Sequence, residues 1–273
     1  MFKSAALIGY KHAIMSSMIE ITSIGIPGLL GSFTGSFLGS VGDRLSRDEP
    51  VWGAHRSHCD MCGHTLSWRD LVPLASWTLS GGRCGYCGAS LSLRYPLYEL
   101  STALAFIAIW VGGPLLGNLV CARPPASVGE NLLLSLFWSI GLVLFITDFF
   151  ENRLTKLPLG LLAGGGVLYA LAVGNVTPHF LAAIAGLVAM ASLRAIFGTA
   201  ALGEGDVWLV GILGLWVGWT LPIAVGLGAG LTIVVELLAR RRRGTPRTFL
   251  PLGSWLLLGG FLVLLSQLPL IFR

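Results

Sequence analysis

The sequence predicts an all-α, polytopic membrane protein of about eight transmembrane helices, with a small four-cysteine insertion between the first and the second. Three observations carry this. Charged residues make up 11% of the 273 and hydrophobic ones 54%, whereas soluble domains carry roughly 25% charged residues. Apolar runs near the ~20 residues that cross a bilayer recur along the chain, separated by short polar stretches, and the mean hydropathy is +0.78. The one sizeable polar region, residues 43–98, is rich in Cys and Gly. It is too short to build a large hydrophobic core, so it needs a staple or a metal.

The apolar segments run over residues 22–42, 99–117, 131–147, 157–174, 179–197, 207–221, 223–239 and 250–269. Several fall short of full length, which implies tilting or extension into the interface. Glycines such as those of Gly226-Leu-Gly-Ala-Gly230 suit close helix packing in lipid. With eight spans, alternate loops hold Arg44, Arg47, Arg56, Arg69, Arg83, Arg94, Arg153, Lys156, Arg240 to Arg243 and Arg247. The opposite internal loops hold only Arg123. That bias places residues 43–98 and the loops on their side in the cytoplasm and both termini outside, against which Lys3 and Lys11 count mildly. Met1-Phe2-Lys3-Ser4 precedes no small-residue cleavage site, so the first apolar stretch reads as a retained anchor. The net charge of +5 comes from such loop clusters. They fit anionic lipid headgroups and argue against a nucleic-acid partner.

Four of the five cysteines form two C-x-x-C pairs, Cys59-Asp-Met-Cys62 and Cys84-Gly-Tyr-Cys87. Two such pairs at this separation match a tetrathiolate zinc site. Gly63 and Gly88 permit the tight turn behind each pair. A cytoplasmic, reducing setting favours thiolate ligation over disulfides, which are the alternative. His55, His58 and His64 could compete, but four thiolates close the shell, so the metal would be structural. Cys121 reads as an ordinary single cysteine.

Acids near apolar spans are costly and need a reason. Asp148 ends the run Leu142-Val-Leu-Phe-Ile-Thr, and Asp206 begins the run Val207-Trp-Leu-Val-Gly-Ile-Leu after Gly203-Glu-Gly205. On the topology above both lie at one membrane depth, at the cytoplasmic ends of spans three and six. Two aspartates sharing a site cannot both ionise easily, so one stays protonated while the other acts as general base on water. Gly203 and Gly205 would let a substrate backbone approach. Taken alone, both acids could equally be residues at helix ends, where Asp206 would complement a helix N-terminus. Glu99, opening the second span, would cap it or contact the cysteine region.

With these residues in order, the sequence resembles the type IV prepilin peptidases, membrane aspartic proteases with a glycine-x-glycine-aspartate signature. Gly35-Ser-Phe-Leu38 with Arg44-Leu45 is similar to their first-span motif. Arg56, Cys59, Cys62, Trp68-Arg-Asp70, Pro73, Ser76-Trp77, Gly82-Arg-Cys84, Cys87 and Arg94-Tyr-Pro-Leu-Tyr-Glu99 resemble their cytoplasmic zinc domain. Gly203-Glu-Gly-Asp206, Leu209 and Gly214-Leu-Trp-Val-Gly-Trp219 resemble the second catalytic motif, and Phe249-Leu-Pro-Leu-Gly-Ser254 the terminal one. The resemblance implies a catalytic pair Asp148 and Asp206. It implies cleavage of leader peptides from prepilins or pseudopilins at the bacterial cytoplasmic membrane, serving type IV pili or type II secretion. In many members it also implies methylation of the new N-terminus from S-adenosylmethionine. Three positions depart from the pattern: Gly39 stands for the usual Asn and Trp208 for the usual Lys, and the segment after Asp148 lacks the usual Pro-Asp spacing.

The expected organisation is an N-terminal segment and first helix at 1–42, a zinc-binding domain at 43–98 and a seven-helix peptidase domain at 99–273. Two other readings use the same residues. An ion- or proton-coupled transporter would place acids near mid-span within paired repeats. A catalytically silent scaffold of a pilus or secretion assembly would need only the zinc module and the spans.

Overall fold

The computed structural model describes residues 24–51, 56–111, 127–198, 202–243 and 251–266. Lys3, Lys11, His55, Cys121, Arg123, Arg247 and the Phe249-Leu250 start of the terminal motif lie outside them.

Among the described residues there are eight long helices: α1 (Ile26–Ser46), α2 (Arg94–Val111), α3 (Val128–Glu151), α4 (Lys156–Val173), α5 (Val176–Phe197), α6 (Glu204–Val217), α7 (Leu221–Arg243) and α8 (Leu252–Ser266). Each corresponds to one expected apolar segment. Among the described residues there are no strands, only two isolated bridges within the cysteine module. The all-helical, multi-pass expectation is therefore borne out.

Among the described residues four helical stretches are long and apolar enough to cross a membrane: Val128–Glu151, Lys156–Val173, Val176–Phe197 and Glu204–Arg241. The last is α6 and α7 joined through a 3-10 turn at Gly218–Thr220, where Gly218 takes φ 57°, a left-handed value that glycine adopts without strain. The 15 residues of α8 are shorter, spanning about 22 Å at the usual rise. α1 is diluted by Gly and Ser, and α2 carries Arg94 and Glu99. Large apolar side chains such as Leu161, Leu168, Ile184 and Ile196 point outward and are more than half exposed, the surface a lipid-facing helix presents.

Backbone proximity holds the bundle together. On α1, a Cβ at Gly31 would lie 2.6 Å from Thr102 O and one at Gly35 2.5 Å from Tyr98 O, both on α2. Small residues at this spacing let helix backbones touch where lipid offers no hydrophobic drive. Of the Gly226 to Gly230 run, Gly228 alone makes such a contact, against Leu256 of α8. The interior centres on Trp216, which is fully buried. Its indole N–H donates to Leu162 O at 2.9 Å, and its ring meets Phe137 and Tyr169.

The four-cysteine module sits between α1 and α2. Glu99 of α2 anchors it, accepting the backbone N–H of Leu74 at 2.6 Å, so the expected contact between Glu99 and the cysteine region is present.

Candidate active site and metal centre

The metal centre is built from two near-identical knuckles. In the first, Cys59 N–H donates to His64 O at 3.0 Å and Gly63 N–H to Cys59 O at 2.8 Å; in the second, Cys84 N–H donates to Ala89 O at 2.8 Å and Gly88 N–H to Cys84 O at 2.9 Å. Gly63 and Gly88 adopt φ 69° and 72°, the left-handed turn expected behind each pair. The four Sγ atoms lie within 4.8 Å of one another, and Cys59 Sγ to Cys87 Sγ is 3.9 Å. A disulfide needs ~2.05 Å. A tetrahedron of sulfurs about a metal at ~2.3 Å has edges of ~3.8 Å, so the cluster could hold a metal ion. Backbone N–H groups of Cys62, then Met61, draw the Cys59 thiol down to about 7. Against a backbone hydrogen bond at Ala89, desolvation and the three neighbouring sulfurs push Cys87 up to about 11. His58 and His64 do not join the ligand group; His64 instead lies against the Tyr86 ring.

The aspartate pair lies where three helix ends meet. α3 ends at Asn152, whose left-handed conformation (φ 50°) turns the chain and returns its N–H to Asp148 O at 2.8 Å. Asp148 is thus on the last turn of α3, and it is 6% exposed. Its Oδ2 accepts the backbone N–H of Ser254 at 2.6 Å and the Ser254 hydroxyl at 2.7 Å. Ser254 lies in the first turn of α8, where backbone N–H groups have no partner within the helix. Asp148 therefore caps α8 from across the bundle.

Asp206 lies in the first turn of α6 and is half-buried. It takes a hydrogen bond from the backbone N–H of Gly203, the residue before the helix, and it feels the charge of Asp148. The fold thus brings together two aspartates that are far apart in sequence. Leu154, in the link after α3, packs against the glycines beside the pair: a Cβ at Gly205 would lie 2.9 Å from Leu154 Cβ, and one at Gly253 would lie 3.1 Å from Leu154 Cδ1 and 3.2 Å from Asp148 Oδ2. At Gly203 an added Cβ would meet Asp206 Oδ2 at 3.2 Å. These glycines leave room for the pair and its support. Ser254 has no role in the sequence-based site; its presence in the terminal motif was the available signal.

A family model for the bacterial peptidase A24 N-terminal domain matches residues 29–112, which hold the cysteine cluster. The type IV leader peptidase family model matches residues 135–238, which hold both aspartates. Among curated relatives is the prepilin leader peptidase/N-methyltransferase of Myxococcus xanthus, 33% identical over 229 residues, covering 81% of this chain and 64% of the relative. The type 4 prepilin-like proteins leader peptide-processing enzyme of Escherichia coli is 34% identical, covering 78% of this chain and 76% of the relative. The chain belongs to the type IV leader peptidase family.

A third relative of this family, the prepilin leader peptidase/N-methyltransferase of Aeromonas hydrophila, is 34% identical, covering 80% of this chain and 74% of its own. The chain spans less than two thirds of the Myxococcus relative's length. No solved structure gives a significant match. As a multi-pass membrane member of the family, the chain carries the family's two matched regions in order, cysteine cluster first and aspartates second.

Proposed function

We propose that the chain is a membrane aspartic endopeptidase that removes the leader from prepilins or pseudopilins, with Asp148 and Asp206 as its catalytic pair. The observation that supports this most is the convergence of the two acids at one end of the bundle, set at the ends of α3 and α6, with Leu154 packed against both Gly205 beside Asp206 and Gly253 beside Asp148. Such a pair shares one proton. The ionised carboxylate takes a proton from water as the water oxygen attacks the scissile carbonyl, and the protonated partner gives its proton to the carbonyl oxygen. As the C–N bond breaks, the amine leaves with the proton the first carboxylate received, and the re-forming carbonyl returns a hydroxyl proton to the partner carboxylate. The titration belongs to the pair rather than to either residue.

The loop charges favour a cytoplasmic site on the bacterial inner membrane. A basic leader would stay in the cytoplasm while the apolar segment lies in the bilayer, which sets the scissile bond at the depth of the aspartates. We divide the chain into a first helix (1–42), a metal module (43–98) and a peptidase domain (99–273). Zinc is the metal we assign to Cys59, Cys62, Cys84 and Cys87, as a structural ion with a closed thiolate shell. Gly203 and Gly205 flank the approach to Asp206. The relatives' names support a second activity, N-methylation of the amine that cleavage exposes. S-adenosylmethionine, when bound, would supply a methyl group on a sulfonium.

The deciding experiment is cleavage of a prepilin by membranes holding wild type, Asp148→Asn or Asp206→Asn at equal abundance. Asparagine keeps the shape and removes the carboxyl group that must gain and lose a proton. Loss of cleavage in both variants is the expected result; cleavage retained by either one excludes the pair.

A further inference from the structure

A groove of about 560 Å³ runs between α2, α3 and α8, a size within the range of ligand sites. It begins beside the aspartate pair. Phe149 follows Asp148 on α3, Phe145 precedes it by one turn, and Trp255 follows Ser254 on α8; all three line the groove. Phe145 stacks on Phe149 with ring centroids 5.6 Å apart and meets Trp255 edge-on at 6.0 Å. The Ser254 hydroxyl that binds Asp148 also lies 3.2 Å from Phe145 O. The groove wall and the Asp148–Ser254 contact are thus one piece of structure.

The wall continues to Trp138 and Phe137, about 20 Å along α3 from Phe150 at the usual helical rise. Among the described residues that line it, Arg94 alone is charged. It stands at the Phe150 end, its guanidinium 3.9 Å from that ring centroid and its charge answered by Asp43. Arg94 therefore marks the watery rim, and the groove beyond it suits an apolar occupant.

A lipid chain and an apolar helix both meet that description, and the wall favours the helix. Half of the residues lining the groove are aromatic, against 10% of the chain. Outward faces elsewhere carry aliphatic side chains, as at Leu161 and Ile184. The aromatic belts of a membrane boundary do not account for this wall, because it continues far from the rim. Large rigid rings in a recess provide the contact area of a helix-in-groove site. A whole helix of that length fills on the order of 2,000 Å³, so the groove takes the side chains of one helix face, spaced i, i+3 or i+4.

We propose that this groove docks the apolar segment that follows the scissile bond of the substrate, one face of its helix lying against Trp138, Phe145 and Trp255. This rests on the peptidase reading and adds a specificity site to it. A segment seated here has its first residues beside Asp148. Gly141 keeps the groove open. A Cβ there would meet only Leu257 Cδ2, at 3.8 Å, an ordinary contact, so a larger side chain enters the groove without displacing a helix.

The test pairs kinetics with photocrosslinking, on the metal-loaded full chain in vesicles of phosphatidylethanolamine and phosphatidylglycerol with a prepilin as substrate. Gly141→Leu fills the groove and is expected to raise KM about tenfold, with kcat changed by less than about threefold. Leu161→Phe, on an outward face of α4, is expected to leave both constants as they are. A photoreactive phenylalanine analogue in place of Trp138, in an otherwise unaltered chain, gives a reading that does not depend on the folding of Gly141→Leu. It is expected to label the prepilin within its apolar segment, whereas the analogue in place of Leu161 is expected to label lipid. Label from position 138 that falls on lipid alone, while wild type cleaves prepilin, overturns the proposal and leaves the peptidase standing. A Gly141→Leu chain of normal abundance with the wild-type KM overturns it as well. Wild type that cleaves no prepilin rejects the peptidase reading and this proposal with it.

Discussion

Ser254 donates both its backbone N–H and its hydroxyl to the same oxygen of Asp148, at 2.6 and 2.7 Å, from 106 residues away in the chain. This pair of hydrogen bonds to Oδ2 leaves Oδ1 as the oxygen free of Ser254. One residue thereby satisfies an otherwise unpaired amide of α8 and fixes the rotamer of a candidate catalytic acid.

Ser254→Ala removes the hydroxyl and keeps the amide. A hydrogen bond to a charged group contributes about 1.5–3 kcal/mol, so the rate of prepilin cleavage is expected to fall by roughly ten- to hundredfold, with membrane abundance unchanged. Ser254→Thr, which restores a hydroxyl, should recover part of the loss. An Ala variant at the wild-type rate would reduce Ser254 to a packing role.

Leu154 supports the glycine signature from below. Gly205→Ala drives a methyl to within 2.9 Å of Leu154 Cβ, where one partner must move. Cleavage should drop, and pairing the change with Leu154→Gly should restore it in part, as coupled neighbours do in a double-mutant cycle. Additive losses would mean that the two positions do not communicate.

The sulfur geometry predicts one metal ion per chain. Elemental analysis of purified protein should find close to one equivalent, and Cys59→Ser or Cys84→Ser, each at a buried ligand, should lose it. Chelation should expose the module to protease before the membrane helices, because a structural metal carries much of the folding energy of a small domain. Full metal loading in either Ser variant would show that the four sulfurs are not the ligand set.

Gly39 faces Tyr98 with no space for a side chain. Gly39→Asn is expected to lower stability by about 1–3 kcal/mol, the usual range for overpacking, seen as a lower thermal midpoint. Gly39→Asn with Tyr98→Ala should tolerate the change better than Gly39→Asn alone. A single variant as stable as wild type would mean that the α1–α2 interface relaxes freely.

By itself, the sequence determined the features written in local chemistry. Apolar runs separated by charged loops marked all eight helices, because a segment's hydropathy decides whether it can lie in lipid. The paired C-x-x-C spacing with a following glycine predicted two knuckles that deliver four sulfurs together. Glu99 was legible as a contact because an acid opening a span must find donors. The tertiary structure alone decided what depends on distant segments meeting. No local pattern tells that Ser254 on α8 caps itself with Asp148 on α3 or that Leu154 wedges beneath Gly205. Nor does it tell that α6 and α7 join through a turn at Gly218 or that Tyr98 fills the space left by Gly39. Those relationships follow from helix backbones brought into contact by glycine stripes, and contacts across 55 and 106 residues leave no periodicity to read.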